Sequence, residues 1–272
     1  MFQQLRRRLR GRNPGPKHHT FQTSPAEIPY QQSEVIVTDV PAARCRVNFL
    51  GLPVMSSPFV QTLKTSDQQF EGSALDEYYQ AFQPETVGQL LGLKTSDIAS
   101  RPAMAAVMPW WNRGPDERLE QVAVISNSGR LVGKEAIKLG ASPEVDYGWQ
   151  YYGPISSAIG KMEFERQVSV YQSIYKKGFL KTEPTALHGE FLVDGADWVW
   201  TSIGGKHRLN ALIAMGNEML TVSAKGKYGP TIVRRDESFL WPNVVNGLFD
   251  EQEALALFDR IMKGSGPEQY VQ

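Results

Sequence analysis

The chain has 272 residues with 24 glycines, 17 prolines and one cysteine, and its 29 basic residues balance its 29 acidic ones. This composition is typical of a globular protein and excludes collagen-like, low-complexity and wholly disordered chains. The single Cys45 excludes an internal disulfide framework, and no apolar run approaches the roughly 20 residues that span a bilayer.

The balanced net charge conceals a basic N-terminal segment. Residues 1–20 contain six basic and no acidic residues, so the other 252 residues hold 23 basic and 29 acidic ones. On a helix, Phe2, Leu5 and Leu9 would share one side with arginines around the rest, a pattern typical of segments that bind anionic lipid. We expect either peripheral membrane contact through residues 1–12 or a solvated tail. An acidic body predicts no extended nucleic-acid surface.

The first half of the chain has mixed signals. Residues 1–45 have the composition of a basic, flexible tail, and residues 46–150 that of a loop-rich α/β region. Apolar residues at helical spacing predict helices over 73–82 and 86–93. A short strand is predicted over 121–125, after a turn-like sequence at 112–115.

Residues 151–272 have a more regular pattern. A helix is predicted over 161–177, with Gly178 as its C-terminal cap and an apolar stripe of Phe164, Val168, Tyr171, Ile174 and Tyr175. Asp194-Gly195 between two β-prone runs predicts a hairpin. A helix that stops at Gly216 and a strand over 218–224 follow. A capping box of Asp250 and Glu253 opens a C-terminal helix that ends near Gly264.

The residues that point to chemistry follow the predicted hairpin, where the sequence reads Gly204-Gly205-Lys206-His207-Arg208 at the start of a helix. Glycines let a ligand approach the backbone closely. Free N–H groups and the helix dipole favour an anion at such a terminus, and an arginine can hold a phosphate with two hydrogen bonds. This pattern indicates a phosphate site. The alternative is that Lys206, His207 and Arg208 form a solvent-exposed first turn that binds no ligand.

A wider pattern over about residues 160–225 resembles the ParB N-terminal/sulfiredoxin superfamily. Its members share a helix with an S-I-x-x-x-G sequence (here Ser173 to Gly178), a β-hairpin, and a G-x-H-R box that opens a helix ending in glycine. The resemblance implies an α/β (α+β) core of helix, hairpin, helix and strand, with an N-terminal wrapping region and a C-terminal helix. It also implies that residues 151–272 form a nucleotide-binding core in which the box residues 204–208 bind phosphates.

Three branches of this superfamily differ at these positions. Sulfiredoxins carry a nucleophilic cysteine where this chain has Lys206, and the partitioning proteins add a helix-turn-helix domain that residues 217–272 do not resemble. The free-serine kinases have an acidic residue before the first helix, which corresponds to Glu163 or Glu165 as general base. They also carry Asp where this chain has Gly204, so the metal ligands stay unknown.

We therefore expect an ATP-dependent kinase that uses ATP, or another nucleotide, with Mg²⁺ and phosphorylates a hydroxyl of a small metabolite. A sugar-like precursor of a surface polysaccharide is one such acceptor. The overall pattern, including Pro109-Trp110, Gly153-Pro154-x-Ser156 and Trp241-Pro242, resembles that of ParB-like proteins encoded among surface-polysaccharide genes. Ser156 and Arg166 are candidates for binding the acceptor or supporting its site. The alternative is a non-catalytic CTP- or ATP-binding regulator that docks on a partner. Either would be cytoplasmic or peripheral at the inner face of the membrane.

Other chemistry-bearing residues have simpler interpretations. His188 is expected on the surface of a strand, and Cys45 is expected to be structural. The aromatic residues Trp110, Trp111, Trp149, Tyr151 and Tyr152 have the chemistry of a stacking pocket for a sugar or base, but core packing is the expectation for most of them.

Overall fold

A computed structural model describes residues 25, 36–65, 69–127, 135, 138–140, 148, 150–179, 187–224 and 228–268. These residues form a mixed α/β structure built on a six-stranded sheet. The strands are β1 (Ile36–Pro41), β2 (Cys45–Val47), β3 (His188–Asp194), β4 (Asp197–Gly204), β5 (Met219–Ala224) and β6 (Ile232–Arg234). Their order is β1-β5-β3-β4-β2, and β6 also pairs with β3.

The hairpin of β3 and β4 forms the middle of the sheet and confirms the hairpin predicted from Asp194-Gly195. Asp194 pairs with Asp197, so the loop has two residues, and its Gly195 adopts a φ of 56° that glycine tolerates without a Cβ penalty. β2 runs parallel to β4, β5 and β6 run parallel to β3, and β1 runs antiparallel to β5. Residues 36–45, predicted as part of the tail, thus lie within the sheet or beside it.

Helices cover both faces of this sheet. They are α1 (Pro58–Lys64), α2 (Ala74–Ala81), α3 (Val87–Leu91), α4 (Pro115–Asn127), α5 (Ser157–Lys177), α6 (Lys206–Ala214), α7 (Pro242–Val245) and α8 (Glu251–Lys263), with 3₁₀ segments at Ala42–Arg44, Val54–Ser56, Asp97–Ser100, Ala103–Ala105 and Arg235–Leu240. The succession α5, β3, β4, α6, β5 matches the predicted order of elements. None of the helices in the described ranges is both long and apolar enough to cross a membrane.

The strand predicted over 121–125 is wrong, because these residues lie within α4. Pro115 occupies the first position of that helix and Asp116 and Glu117 lie in its first turn, which is the arrangement that helix N-termini prefer. The stripe predicted on α5 is also only half correct. Phe164 is buried, but Tyr175 is 75% exposed, and the buried face of α5 is confined to its first half.

Two buried apolar clusters lie on opposite faces of the sheet, as the alternation along β3 demonstrates. Phe191 and Val193 belong to the cluster that packs on α6, whereas Leu192 belongs to the other cluster. The second cluster combines α2, α3 and the 103–111 segment with α5 and α8. Residues predicted as a wrapping region therefore share one core with the C-terminal half.

Candidate functional site

The predicted phosphate box lies at the N-terminus of α6, directly after β4. Gly205 is the N-cap, its φ is 81°, and no side chain caps the helix there. Lys206, His207 and Arg208 form the first turn. A nine-residue helix that begins without a capping side chain has N–H groups and a positive dipole end available for an anion. The local geometry that the sequence predicts is therefore present.

Gly204 has a steric role that the sequence alone did not predict. A Cβ at this position would lie only 2.1 Å from Cε1 of His188, since β3 brings the imidazole against the glycine. An aspartate at position 204, as in the free-serine kinases, would need the space that His188 occupies. His188 is half-buried beside the box rather than a simple surface residue.

Glu163 of α5 and His207 of α6 form a short polar contact at the site. Glu163 Oε1 lies 2.7 Å from His207 Nε2, and the glutamate is buried while His207 is 28% exposed. One turn further along α5, the buried Gln167 donates to the carbonyl of His207 at 3.3 Å and accepts from Asn210 at 3.4 Å. This network fixes the first turn of α6 against α5 and orients the imidazole.

Lys206 points into the protein instead of towards solvent. Its Nζ is buried, lies 2.9 Å from the centroid of the Tyr151 ring, and has no hydrogen-bond partner among the described residues. Burial lowers the pKa of Lys206 below its ordinary value, and the nearby Tyr151 and Glu163 offset this only in part. Burial raises the pKa of Tyr151, but the charges of Lys206 and Arg118 lower it further, to below its usual value.

A small cavity of about 20 Å³ joins these groups. Its polar lining consists of Glu163, Lys206, His207, Asn210, Ser202, Ser57 and Gln150. A volume of this size admits one water-sized group, since a water needs roughly 10–15 Å³. The cavity therefore fits a single hydroxyl oxygen and is too small for a nucleotide.

The remaining predicted residues are placed differently. Arg208 is exposed at the α6 terminus, where it faces solvent. Glu165 is exposed on α5, about 200° around the helix from Glu163, so it lies away from the cavity. Ser156 is the N-cap of α5, and Arg166 is half-buried with a buried Nη1 that lacks a partner among the described residues; neither lines the cavity.

A larger groove of about 390 Å³ lies at α3, away from these groups. Its charged lining residues, Lys94 and Glu268, are both exposed. An open groove without buried polar groups has less of the chemistry of a catalytic site than the enclosed cluster at α6. The α6 terminus is accordingly the candidate site.

A second buried acid was missed in the sequence. Glu190 of β3 is 1% exposed and accepts hydrogen bonds from the indole N–H of Trp110 at 2.7 Å and of Trp111 at 3.2 Å. Burial raises its pKa to about 7, more than these bonds lower it. Trp110 and Trp111 are core residues, as expected, and Trp149 lies outside the described residues.

Comparison with known proteins adds no assignment: no family model, curated protein or solved structure matches this chain. The interpretation of the site therefore depends on its own geometry.

Proposed function

We propose that this protein is a phosphotransferase that binds the phosphate groups of a nucleotide at the N-terminus of α6 and phosphorylates a hydroxyl of a small metabolite. ATP is the nucleotide expected from the resemblance to the free-serine kinases. A sugar-like precursor in surface polysaccharide biosynthesis is the acceptor class that we propose. The ParB/sulfiredoxin-like core is part of the same proposal.

The observation that carries the proposal is the buried Glu163 carboxylate 2.7 Å from His207 at a glycine-capped helix terminus. A carboxylate that holds an imidazole beside an anion-binding terminus combines a proton-transfer pair with a phosphate cradle. Either Glu163 accepts the proton of the reacting hydroxyl directly in the cavity, or His207 accepts that proton and passes it to Glu163. Glu165 is exposed and contributes nothing to this arrangement.

The two substrates have separate places in this scheme. The cavity of about 20 Å³ accommodates the acceptor hydroxyl beside Glu163 and His207. The phosphates lie outside it, on the N–H groups of the first turn, where the exposed Arg208 supplies positive charge. Lys206, whose ammonium is buried against Tyr151, acts on the cavity side and not as a phosphate ligand.

Mg²⁺ is part of the expectation from the resemblance, but the described residues do not fit a protein-held magnesium site. They contain no group of three or more His, Cys, Asp or Glu side chains that could hold a metal ion, and position 204 offers no carboxylate. An ion at the site would have nucleotide oxygens and water as its main ligands, as Mg²⁺ often has. The proposed roles of Glu163, His207 and Arg208 do not depend on a metal ion held by the protein.

A non-catalytic nucleotide-binding regulator, with CTP or ATP as ligand, is the second candidate. One observation favours it: the Glu163 carboxylate is already engaged with His207 at 2.7 Å, a contact that a purely structural role explains equally well. In that case the pair only orients the first turn of α6, and the exposed surface around Arg208 changes on nucleotide binding.

The test is binding and turnover of ATP by the full chain with Mg²⁺ and a panel of hydroxylated metabolites. We expect Arg208→Gln to weaken nucleotide binding by about tenfold or more, since a hydrogen bond to a charged group contributes roughly 1.5–3 kcal/mol. Glu163→Gln should keep binding and lose turnover. Lys177→Gln, an exposed change at the other end of α5, is the matched control.

The outcomes separate the candidates. ATP turnover that disappears in Glu163→Gln supports the kinase, and binding without turnover of any acceptor supports the regulator. Nucleotide affinity that is equal in the wild type, Arg208→Gln and Lys177→Gln would show that the α6 terminus is not the phosphate site.

A further inference from the structure

Two buried hydrogen-bond donors without an acceptor lie within range of each other's charge, one on α4 and one at the start of α6. Arg118 Nε and Lys206 Nζ are both buried and have no hydrogen-bond partner among the described residues. Elsewhere on its guanidinium, Arg118 donates from Nη1 to the neutral Oε1 of Gln121 at 3.3 Å. Buried donors in native proteins nearly always have an acceptor, so two such donors in one region point to a ligand.

Positive charge accumulates around these donors. Arg113, just before α4, is buried, lies in the field of Arg118 and donates to the carbonyl of Glu117 at 2.7 Å. Within the described ranges, no carboxylate lies at ion-pair distance from Arg113, Arg118 or Lys206. The basic segment 1–20 lies outside those ranges and is not included in this charge. An anion is therefore the ligand that the charge of this region favours.

The hydroxyl of Tyr151 lies in the field of two of these cations. Lys206 Nζ lies 2.9 Å from the centroid of the Tyr151 ring, and the charges of Lys206 and Arg118 both act on the phenol. Burial raises the pKa of Tyr151, but these two charges lower it further, to below its ordinary value. Negative charge is thus stabilised at this hydroxyl, and a phenol polarised in this way is a strong hydrogen-bond donor to an anion.

A row of aromatic rings holds Tyr151 in place. Phe49 packs edge-on against Tyr151 and Trp111, at centroid distances of 5.2 and 5.7 Å, and Trp111 contacts Tyr228 at 5.1 Å. Phe49 has a φ of 65°, which a bulky residue adopts only where its surroundings hold it, and Arg260 donates to its carbonyl at 3.0 Å. Because Tyr151 and Tyr228 are only half-buried, this aromatic wall reaches the surface, where the carbon skeleton of a small molecule can contact it.

We propose that Arg118 and Tyr151 form an anion subsite for the carboxylate or phosphate monoester of a small organic molecule. The Nε–H of Arg118 and the hydroxyl of Tyr151 donate to the anion, and Lys206 contributes positive charge from the face of the Tyr151 ring without touching the anion. The subsite adjoins the cavity of the candidate site, because Lys206 and Gln150 line that cavity. Resting on the proposed function, the anion belongs to the acceptor whose hydroxyl enters the cavity, which narrows the acceptor class to anionic hydroxylated metabolites.

The test is a titration of the full chain, labelled with ¹⁵N in its arginines, in the absence of nucleotide and metal. The Nε–H resonance of Arg118 is assigned from its loss in Arg118→Lys. The probes are glycerol phosphate, glycerate and uncharged glycerol. We expect this resonance to shift in a saturable way with an anion and to stay in place with glycerol, because only an anion accepts strongly from the guanidinium. The anion that binds more tightly identifies the ligand group as a phosphate monoester or a carboxylate.

Calorimetry with the tighter anion provides the second readout. Arg118→Gln should weaken binding by about tenfold or more, and Tyr151→Phe, which keeps the ring, should weaken it several-fold, whereas the exposed control Lys177→Gln should bind as the wild type does. An Arg118 resonance that neither anion shifts, or that glycerol shifts equally, would overturn the subsite, and so would equal affinity in the wild type and Arg118→Gln. A wild type that binds the anion at Arg118 but binds no ATP would support the subsite and contradict only the proposed function.

Discussion

Glu190 offers the most quantitative test of the structure, because its carboxyl is buried without a cation. Its pKa rises from 4.5 to about 7 in the folded protein through burial. The folded state therefore binds more protons than the unfolded state between these values, and the free energy of unfolding falls as pH rises through them. At about 1.4 kcal/mol per pKa unit, the shift corresponds to about 3 kcal/mol above pH 7.

Glu190→Gln removes this ionisation while the side chain keeps its shape. At pH 5 the variant should be about 1 kcal/mol less stable than the wild type. Each carboxyl oxygen of Glu190 accepts from one indole N–H, whereas the amide N–H₂ of glutamine only donates and leaves one indole N–H without its acceptor. At pH 8 the order should reverse, with the variant about 2 kcal/mol more stable. The two stability curves should cross between these values.

Urea unfolding followed by tryptophan fluorescence at pH 5, 6, 7 and 8 measures this difference. Subtracting the wild-type curve cancels the titrations that both proteins share. A difference between wild type and Glu190→Gln that does not change with pH would show that Glu190 is ionised in the folded protein, and the reasoning from burial would fail.

Three further predictions concern single contacts. The first concerns Glu253. Burial raises the pKa of its carboxyl, but hydrogen bonds from the hydroxyl and N–H of Ser96 and from the N–H groups of Lys94 and Thr95 lower it more, to about 2. Glu253→Gln should therefore lower the free energy of unfolding by about 1–2 kcal/mol at pH 7, after a discount for partial exposure. In urea unfolding at successively lower pH, this difference should disappear as the pH approaches 2. Lys206→Met should raise the free energy of unfolding at pH 7 by about 1 kcal/mol, because burial of the ammonium costs more than its contacts with Tyr151 and Glu163 return; a lower free energy of unfolding would contradict this. Gly204→Ala should cost about 1–3 kcal/mol through its clash with His188, and adding His188→Ala should restore part of the loss in a double-mutant cycle.

Local signals in the sequence were sufficient for several elements. The Asp-Gly pair located the β3–β4 loop, and Gly178 and Gly264 marked the ends of α5 and α8. These elements were predictable because their ends depend on backbone conformations that few residues adopt. The start of α4 carried a similar signal, Pro115 followed by two acids, which the turn-like residues before it obscured.

The capping box predicted at α8 is only half present, because the sequence pattern does not determine the hydrogen-bond partner of the Glu253 side chain. Asp250 does cap the helix by accepting from the N–H groups of Gln252 and Glu253. The carboxylate of Glu253, however, binds the backbone of residues 94–96, and Ser96 Oγ accepts from the N–H of Asp250 in its place. The partner comes from far along the chain, so no local pattern indicates it.

The sequence indicated which residues lie at the candidate site, but not how their side chains are arranged. Gly205, His207 and Arg208 occupy the positions that an anion site at a helix start requires. The inward turn of Lys206 and the pairing of Glu163 with His207 depend on how α5 packs against α6. Tertiary packing of this kind is set by distant residues, among them Tyr151, and the sequence pattern does not encode it locally.

The most direct test of the central claim is a titration of the ¹⁵N-labelled full chain with ATP and Mg²⁺, followed through its backbone amide resonances. The account predicts that the amides of Lys206, His207 and Arg208 shift most, because their N–H groups bind the phosphates. Absence of any shift at these three amides, or shifts confined to the groove at α3, would contradict a phosphate site at the α6 terminus.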